Sequence, residues 1–295
     1  MNWDFLIKDK DSLCVSTDTR NLPAGCVFFA LHGERFDGNK FAKQAIEQGA
    51  ALAVIDNPEY ALPKGTLLVE NTLLALQDLA RAWRRELSLP IISITGTNGK
   101  TTTKELLATV LSMKYNLHYT QGNLNNQIGV PLTLLQITRA HEMAIVEIGA
   151  SHPGDIKELV DIAEPNYGLI TNVGRAHLEG FGSFEGVQRT KQELYDYLVA
   201  HNGIVFRNAD NPYLAEMENQ AKQCYTTLHN TTQLYTTGTM PSGTHLVGEY
   251  NAENVSAAIC VGRHFGISCE QALELFANMY LPITVLKQCR RPATS

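Results

Sequence analysis

The stretch IISITGTNGKTTT, residues Ile91–Thr103, decides the fold, because it joins an apolar run to a glycine-containing loop and a helix start. The apolar run predicts a buried strand. A strand, a tight loop and a helix in this order aim backbone N–H groups and the positive helix end at one point, where a phosphate can bind. Lys100 would reach the terminal phosphates, and the Thr101 hydroxyl would bind a magnesium ion. Gly96 and Gly99 lie closer together than in the usual motif, so an ordinary strand-to-helix turn is the alternative.

Length and composition indicate a two-domain globular enzyme. The chain has 295 residues, 44% hydrophobic and 18% charged, which is more than one typical domain. Its formal net charge of -6 argues against a nucleic-acid partner. The six cysteines are scattered without a C-x-x-C pair, so neither a zinc site nor a disulfide framework is indicated.

No feature of the sequence indicates a membrane segment or export. No apolar run approaches the roughly 20 residues that a membrane-spanning helix needs. The start Met1–Asp4 lacks a basic segment followed by an apolar core. We therefore expect a cytoplasmic protein without a membrane partner.

The residues up to Leu87 predict a small α/β unit. Buried strands are expected at 27–31 and 51–55, and helices at 41–49 and 72–86. The loops 17–20 and 33–38 interrupt this pattern, and turn chemistry alone can explain both. Ser88–Pro90 is the predicted boundary before the phosphate loop.

The following part alternates between strands and helices, which predicts a mainly parallel sheet covered on both faces. Ligands bind such sheets outside the carboxyl ends of the strands. The remaining predicted strands are 143–148, 167–171 and 203–206, and the predicted helices are 103–113, one from 130, 155–163, one from 183, and 251–265.

Two polar side chains follow strands at this edge of the sheet. Glu147 ends the strand 143–148, close to a metal bound by Thr101, although a solvated strand end is the alternative. His177 follows the strand 167–171 through a short loop, where a structural role is the alternative.

Lys191 lies on the apolar stripe of the helix that Ser183 is expected to cap. With Val187 and Leu194 on the same stripe, its ammonium must snorkel, pair or be chemically altered, since burying it uncompensated is costly. Addition of carbon dioxide to the amine would give a carbamate, an oxygen ligand suited to magnesium.

The loop Thr95–Thr102 resembles the ATP loop of the Mur ligases, which build the peptide stem of the bacterial cell wall. Further segments that resemble this family are Asp18–Arg20, Gly122–Pro131, Glu147–Gly154 and Asn172–Glu179. The resemblance implies an α/β chain with a small N-terminal UDP-sugar-binding domain at 1–87. It also implies a P-loop-type central ATP-binding domain at 88–282, with a mainly parallel sheet flanked by helices.

Within the family, these segments are most similar to those of the member that joins D-alanyl-D-alanine to UDP-N-acetylmuramoyl-tripeptide. The resemblance implies those two substrates, ATP and Mg²⁺ as cofactors, an acyl phosphate mechanism and a monomer. One alternative is the ligase that adds the third stem residue, for which a different segment is expected at Gly149–Ala150. The other is an inactive remnant that binds nucleotide or UDP-sugar.

The resemblance also implies roles for individual residues. The expected catalytic residues are Lys100, His177 and Lys191. The expected ATP contacts are Gly96, Thr97, Asn98, Gly99, Lys100, Thr101, Thr102, Asn251 and Asn254, with Asn251 against adenine. Thr101 and Glu147 are expected to hold one magnesium ion, and His177 a second one, whose site a carbamylated Lys191 helps to position. Substrate binding is expected from Thr19, Arg20, Asn123, Asn125 and Asn126, the last three where ATP and the sugar nucleotide meet.

The tail, residues 283–295, does not resemble the family, whose members continue into a third domain that binds the incoming amino-acid substrate. We expect that domain to be absent, and the chain to keep the ATP fold but to ligate poorly or not at all. One hypothesis is a frameshift, because codons chosen for Pro282–Lys287 spell Asn-Asn-Arg-Ser-Gln in another frame, which resembles the start of that domain.

Overall fold

The computed structural model describes residues 2–34, 36–175, 178–224, 231–238 and 250–277. Its strands are β1 Val15–Ser16, β2 Val27–Phe29, β3 His32–Gly33, β4 Phe36–Asp37, β5 Leu52–Ile55, β6 Thr66–Leu68, β7 Ile91–Thr95, β8 Leu117–Tyr119, β9 Met143–Glu147, β10 Tyr167–Ile170, β11 Ile204–Asn208 and β12 Thr231–Tyr235. Its helices are α1 Asp4–Ile7, α2 Ala42–Glu47, α3 Thr72–Leu87, α4 Lys100–Leu111, α5 Gly129–Leu135, α6 Asp155–Ala163, α7 Leu178–Phe181, α8 Phe184–Ala200, α9 Pro212–Cys224, α10 Tyr250–His264 and α11 Cys269–Ala277.

The chain divides into two compact units. Unit 1 consists of Met1–Leu89, Thr120–His141 and Asp161–Glu164, and unit 2 of Pro90–Tyr119, Glu142–Val160 and Pro165–Ser295. The domain bounds 1–87, 88–282 and 283–295 stay a prediction, and the tail 283–295 lies outside the described residues.

Unit 1 is built on a parallel sheet in the order β1-β2-β5-β6. Phe28 and Ile55 of this sheet pack against Ala42 and Ala45 of the α2 segment in a core cluster. Helix α3 buries its apolar stripe as its periodicity predicts, and the indole of Trp83 donates to the Ile137 carbonyl at 2.8 Å. The α/β character predicted for the first part of the chain is confirmed.

Unit 2 contains a parallel sheet in the order β12-β11-β10-β7-β9-β8. Strand β7 lies in the interior of this sheet, and every residue of it is buried. Leu169 joins the core cluster that includes side chains of α4 and α10, whereas a Cβ on the adjacent Gly168 would meet Leu198 of α8. Since successive residues of a strand face opposite sides, helices cover both faces, as predicted.

The sheet register brings three strand ends together in unit 2. Ile94 pairs with Glu147 of β9, and Thr95 pairs with Ile170 of β10. The chain passes from β7 to β8 on one side and later to β10 on the other, so strand order reverses at β7. This reversal is where ligands bind in open α/β sheets.

Some element bounds differ from the predicted ones. Strand β2 ends at Phe29 rather than at Leu31, since the Leu31 N–H turns back to the Phe29 carbonyl at 2.9 Å. Helix α4 begins at Lys100 rather than at Thr103. Strands β6, β8 and β12 and helices α9 and α11 were not predicted.

Cys14 and Cys26 are disulfide-bonded in the structure, with their Cα atoms 4.5 Å apart. The sequence does not indicate this pair. Each cysteine directly precedes one of two neighbouring strands, and the register pairs Val15 with Val27. The proximity therefore follows from strand pairing and not from a recognisable cysteine spacing.

Among the helices of the described residues, none combines the length and apolar character needed to cross a bilayer.

Candidate functional site

The loop after β7 has the shape that phosphate binding needs. Gly96 and Gly99 have φ values of 150° and 79°, which glycine adopts without the strain of a side chain. Gly99 is the N-cap of α4, and no described side chain caps this helix end. The Lys100 ammonium is held over the loop, donating to the Gly96 carbonyl at 2.7 Å and to the Thr97 carbonyl at 3.4 Å.

Lys100 is a partly buried cation. Burial lowers the pKa of its ammonium, and the negative charge of Glu147 opposes this shift. A positive group in this position can neutralise charge on a bound phosphate.

The segment after β10 fixes the phosphate loop. The Thr171 hydroxyl donates to the Asn98 carbonyl at 2.6 Å, and the Asn98 N–H donates to Asn172 Oδ1 at 3.0 Å. The Thr97 N–H donates to the Asn172 carbonyl at 3.0 Å, and the Gly174 N–H to Thr97 Oγ1 at 2.8 Å. This clamp holds the loop in one conformation, and the sequence analysis did not identify it.

Thr101 and Glu147 fit the requirements of a magnesium ion. The Thr101 hydroxyl lies 3.4 Å and 3.2 Å from the two carboxylate oxygens of Glu147. Two neighbouring ligand oxygens of a magnesium octahedron lie about 3.0 Å apart, given Mg–O bonds of about 2.1 Å. A small movement would therefore let the Thr101 hydroxyl and one Glu147 carboxylate oxygen bind the same ion. Their metal role stays a prediction.

Within the described residues, no group of three His, Cys, Asp or Glu side chains could hold a metal ion. Magnesium is usually bound by one or two carboxylates together with substrate phosphates and water. His177, predicted to bind a second magnesium ion, lies outside the described residues.

Lys191 lies on the buried stripe of α8 and is 3% exposed. Snorkelling to solvent, one of the alternatives, is therefore wrong. Burial, together with the positive charge of Lys100, lowers the pKa of the Lys191 ammonium to about 7. The neutral amine, which is the form that can add carbon dioxide, is therefore more populated near neutral pH than in an exposed lysine.

Helix α10 brings two buried asparagines to the phosphate loop. The Thr103 hydroxyl donates to Asn254 Oδ1 at 3.1 Å, and Asn254 Nδ2 donates to Asn251 Oδ1 at 3.3 Å. A Cβ on Gly99 would lie 2.7 Å from Asn254 Oδ1, so the helix packs directly on the loop. The structure thus joins α10 to the site, while the contact of Asn251 with adenine stays a prediction.

Lys104 is a residue that the sequence analysis missed. It is fully buried, and its ammonium lies 3.7 Å from a carboxylate oxygen of Glu147. Lys104 follows Thr101 by three positions on α4, which places both on the same helix face. That spacing was the available signal.

Unit 1 contains the residues predicted to bind the sugar nucleotide. Thr19 and Arg20 line a cavity of about 400 Å³. Thr19 is buried, and Arg20 is exposed and contacts both Asp18 carboxylate oxygens, at distances of 2.6 to 3.0 Å. Hydrogen bonds from Arg20 lower the pKa of Asp18 to about 2. The cavity is polar, and its role in substrate binding stays a prediction.

Asn123, Asn125 and Asn126 lie in the loop before α5. Asn126 Oδ1 accepts from the Ile128 and Gly129 N–H groups at 3.2 Å and 2.9 Å, which stabilises the start of that helix. This structural role was not foreseen, and the substrate contacts of all three asparagines stay a prediction.

Comparison with known proteins identifies both parts of the chain. Residues 94–262 match the Mur ligase middle domain, and residues 14–84 match the Mur ligase family, catalytic domain. One curated relative is the UDP-N-acetylmuramoyl-tripeptide–D-alanyl-D-alanine ligase of Bacillus subtilis. It is 39% identical over 274 residues, which cover 88% of this chain and 60% of the relative.

Solved structures give the same result. MurF from Acinetobacter baumannii superposes with a TM-score of 0.80 at 29% identity, covering 91% of this chain and 63% of that one. The MurF ligase of Thermotoga maritima in complex with ADP has a TM-score of 0.79 at 27% identity, covering 93% and 68%. This chain thus spans about 60% of the length of the curated relative. Because the middle-domain match alone covers more than half of its residues, the chain belongs to the Mur ligase family.

Proposed function

We propose that the chain acts as an ATP-dependent amide ligase that joins D-alanyl-D-alanine to UDP-N-acetylmuramoyl-tripeptide, a peptidoglycan precursor. The observation that carries the proposal is the arrangement of Lys100 over the phosphate loop with Thr101 and Glu147 beside it. Curated relatives with this activity in their names support the choice of substrates.

The proposed reaction has two steps. A terminal carboxylate oxygen of the tripeptide attacks the γ-phosphorus of ATP, so a C–O–P linkage forms and ADP leaves. The amine of D-alanyl-D-alanine then attacks the acyl carbon and loses its proton, and phosphate departs with the bridging oxygen. Positioning and charge neutralisation lower the barriers of both steps.

Different residues of unit 2 would bind the phosphates, the metal ions and the adenine base. The loop N–H groups and Lys100 hold the phosphates and neutralise the charge that develops on them. A magnesium ion held by Thr101 and Glu147 would add positive charge at the same oxygens. His177 would bind a second magnesium ion, whose site Lys191, as a carbamate, would help to position, and Asn251 would contact adenine.

The remaining partners follow from the same proposal. Thr19 and Arg20 would bind the UDP-sugar end of the tripeptide substrate in the cavity of unit 1. ATP and UDP-linked sugars are metabolites of the cytoplasm, so the proposal places the protein there.

A phosphate-release assay with product analysis tests the proposal. The purified chain is mixed with ATP, MgCl₂, D-alanyl-D-alanine and a UDP-tripeptide that carries either lysine or diaminopimelate at its third position. We expect slow phosphate release, and only when both peptide substrates are present, together with a product of the mass of the UDP-pentapeptide.

Lys100→Ala should reduce that rate by about 100-fold or more, because it removes a charge at the transferred phosphoryl group. Lys114→Ala is the matched control, since Lys114 is an exposed lysine just beyond α4 and should leave the rate unchanged. Nucleotide binding without turnover would favour the alternative of an inactive remnant that binds nucleotide or UDP-sugar. Absence of nucleotide binding would overturn the proposal.

A further inference from the structure

A second lysine of α4 lies behind the predicted metal ligand. The side chain of Lys104 is 0% exposed, and its Nζ is 3.7 Å from Glu147 Oε2. The same ammonium lies 3.3 Å from Glu105 Oε1 and 6.0 Å from the centre of the Tyr119 ring. Burying an ammonium without compensation is costly, so these contacts are what allows the charge to remain inside.

The Glu147 carboxylate lies close to two side chains of helix α4, Thr101 and Lys104. Oε2, the oxygen nearest Lys104, is also 3.2 Å from the Thr101 hydroxyl. Positions 101 and 104 face the same side of α4. Thr101, which can share a metal ion with Glu147, and the positive charge of Lys104 therefore both lie beside the same carboxylate oxygen.

The fixed charge has opposite effects on the two ligands of the proposed site. It weakens the attraction between Glu147 and a bare divalent cation. It also reduces the repulsion between Glu147 and the phosphates of a nucleotide that arrives without a cation. Both effects are Coulombic and act over a few ångströms in a partly desolvated site.

We infer that Lys104 is a positioning residue that makes tight binding of the divalent cation depend on the nucleotide. The ammonium, which also lies near Glu105, holds the Glu147 carboxylate at Thr101 and offsets part of its charge until the phosphates bring further negative charge to the site. The inference rests on the proposed nucleotide site. It assigns Lys104 no contact with the reacting atoms.

Two binding constants of the full chain test the inference. The first is the affinity for Mn²⁺ alone, measured from the loss of the free-ion electron paramagnetic resonance signal. The second is the affinity for a non-hydrolysable ATP analogue in EDTA, measured by calorimetry. Lys104→Met should strengthen Mn²⁺ binding and weaken cation-free nucleotide binding, each on the order of tenfold, as expected for one charge removed at close range.

The two affinities are expected to change in opposite directions, which distinguishes the loss of the Lys104 charge from damage to the fold. Loss of packing or folding would weaken both affinities, so a fall in both, or no change in either, overturns the inference. Lys114→Met, at an exposed position, should leave both constants within about twofold. Circular dichroism checks folding, and Lys104→Gln takes the same test if Lys104→Met is unfolded.

Failure of the inference and failure of the proposed function give different results. A wild-type chain that binds no nucleotide, even with Mg²⁺, overturns both. A wild-type chain that binds it, with Lys104 variants lacking the opposed changes, overturns the inference alone.

Discussion

At the scale of single residues, Gly96 shows how closely the phosphate loop is packed. Its φ of 150° lies outside the range that side-chain-bearing residues readily adopt, and a Cβ there would overlap the Thr171 hydroxyl. That hydroxyl cannot easily move, because it donates to the Asn98 carbonyl at 2.6 Å. The position therefore requires glycine for two independent reasons.

Gly96→Ala should lower the free energy of unfolding by about 2–4 kcal/mol, the sum of backbone strain and steric overlap. Urea denaturation measures the change. Gly154→Ala is the control, since Gly154 has a φ of 88° but no atom within 4 Å of its Cβ position, and only strain of about 1 kcal/mol is expected. Equal losses in the two variants would contradict this account of the loop.

Lys191 should make stability depend on pH. Burial lowers the pKa of its ammonium to about 7 in the folded chain, from an ordinary value of about 10.5, so the unfolded chain binds the proton more tightly. The resulting penalty on folding is complete below about pH 7 and fades as the pH rises toward 10.5. Lys191→Met should therefore raise the free energy of unfolding at pH 7, by up to about 4 kcal/mol.

Urea titrations in buffer depleted of carbon dioxide, at several pH values between 7 and 10, check this expectation. The gain from Lys191→Met should shrink steadily across that range. A gain that is the same at pH 7 and pH 10 would show that the charge of Lys191 does not oppose folding.

At the scale of elements, Ser183 sets the start of the helix that carries Lys191. Its side chain accepts from the Gly186 N–H at 3.1 Å, so the predicted cap is confirmed. Ser183→Ala should cost about 1 kcal/mol of stability. Ser183→Asp, which keeps an acceptor oxygen, should restore most of it in thermal denaturation, and a loss of equal size in both variants would argue against capping.

The long elements of the fold could be predicted from the sequence because their patterns are local. Helices α3 and α8 have clear apolar stripes, and the central strands are continuous apolar runs. Strands β6 and β8 are only three residues long and partly exposed, so hydrophobicity gives little signal. Their place depends on pairing with β5 and β9, which the local sequence does not encode.

The candidate site was predicted in part, for a similar reason. The proximity of Lys100, Thr101 and Glu147 could be predicted, since the first two follow β7 and Glu147 ends β9 at the same edge of the sheet. The clamp by Thr171 and Asn172 could not, because hydroxyl and amide side chains after a strand are too common to indicate a contact. Such contacts are fixed only once the register of β7 and β10 is known.

At the scale of the whole molecule, the chain returns to unit 1 after it has entered unit 2. Arg84 of α3 donates to the Ala163 and Glu164 carbonyls, both at 3.0 Å, and Trp83 donates to Ile137. These bonds join positions that are far apart in sequence, so no local pattern predicts them. The predicted boundary at Ser88–Pro90 lies just before the strand that leads to the phosphate loop. It does not predict that the later segments Thr120–His141 and Asp161–Glu164 belong to unit 1.

The central claim is that ATP activates the tripeptide carboxylate as an acyl phosphate, and isotope transfer tests it most directly. UDP-tripeptide labelled with ¹⁸O in its terminal carboxylate is incubated with the chain, ATP, MgCl₂ and D-alanyl-D-alanine. The released phosphate is then analysed by mass spectrometry. Our account predicts one ¹⁸O atom in each phosphate released, because the bridging oxygen departs with phosphorus. Unlabelled phosphate, or no phosphate release under these conditions, would contradict it.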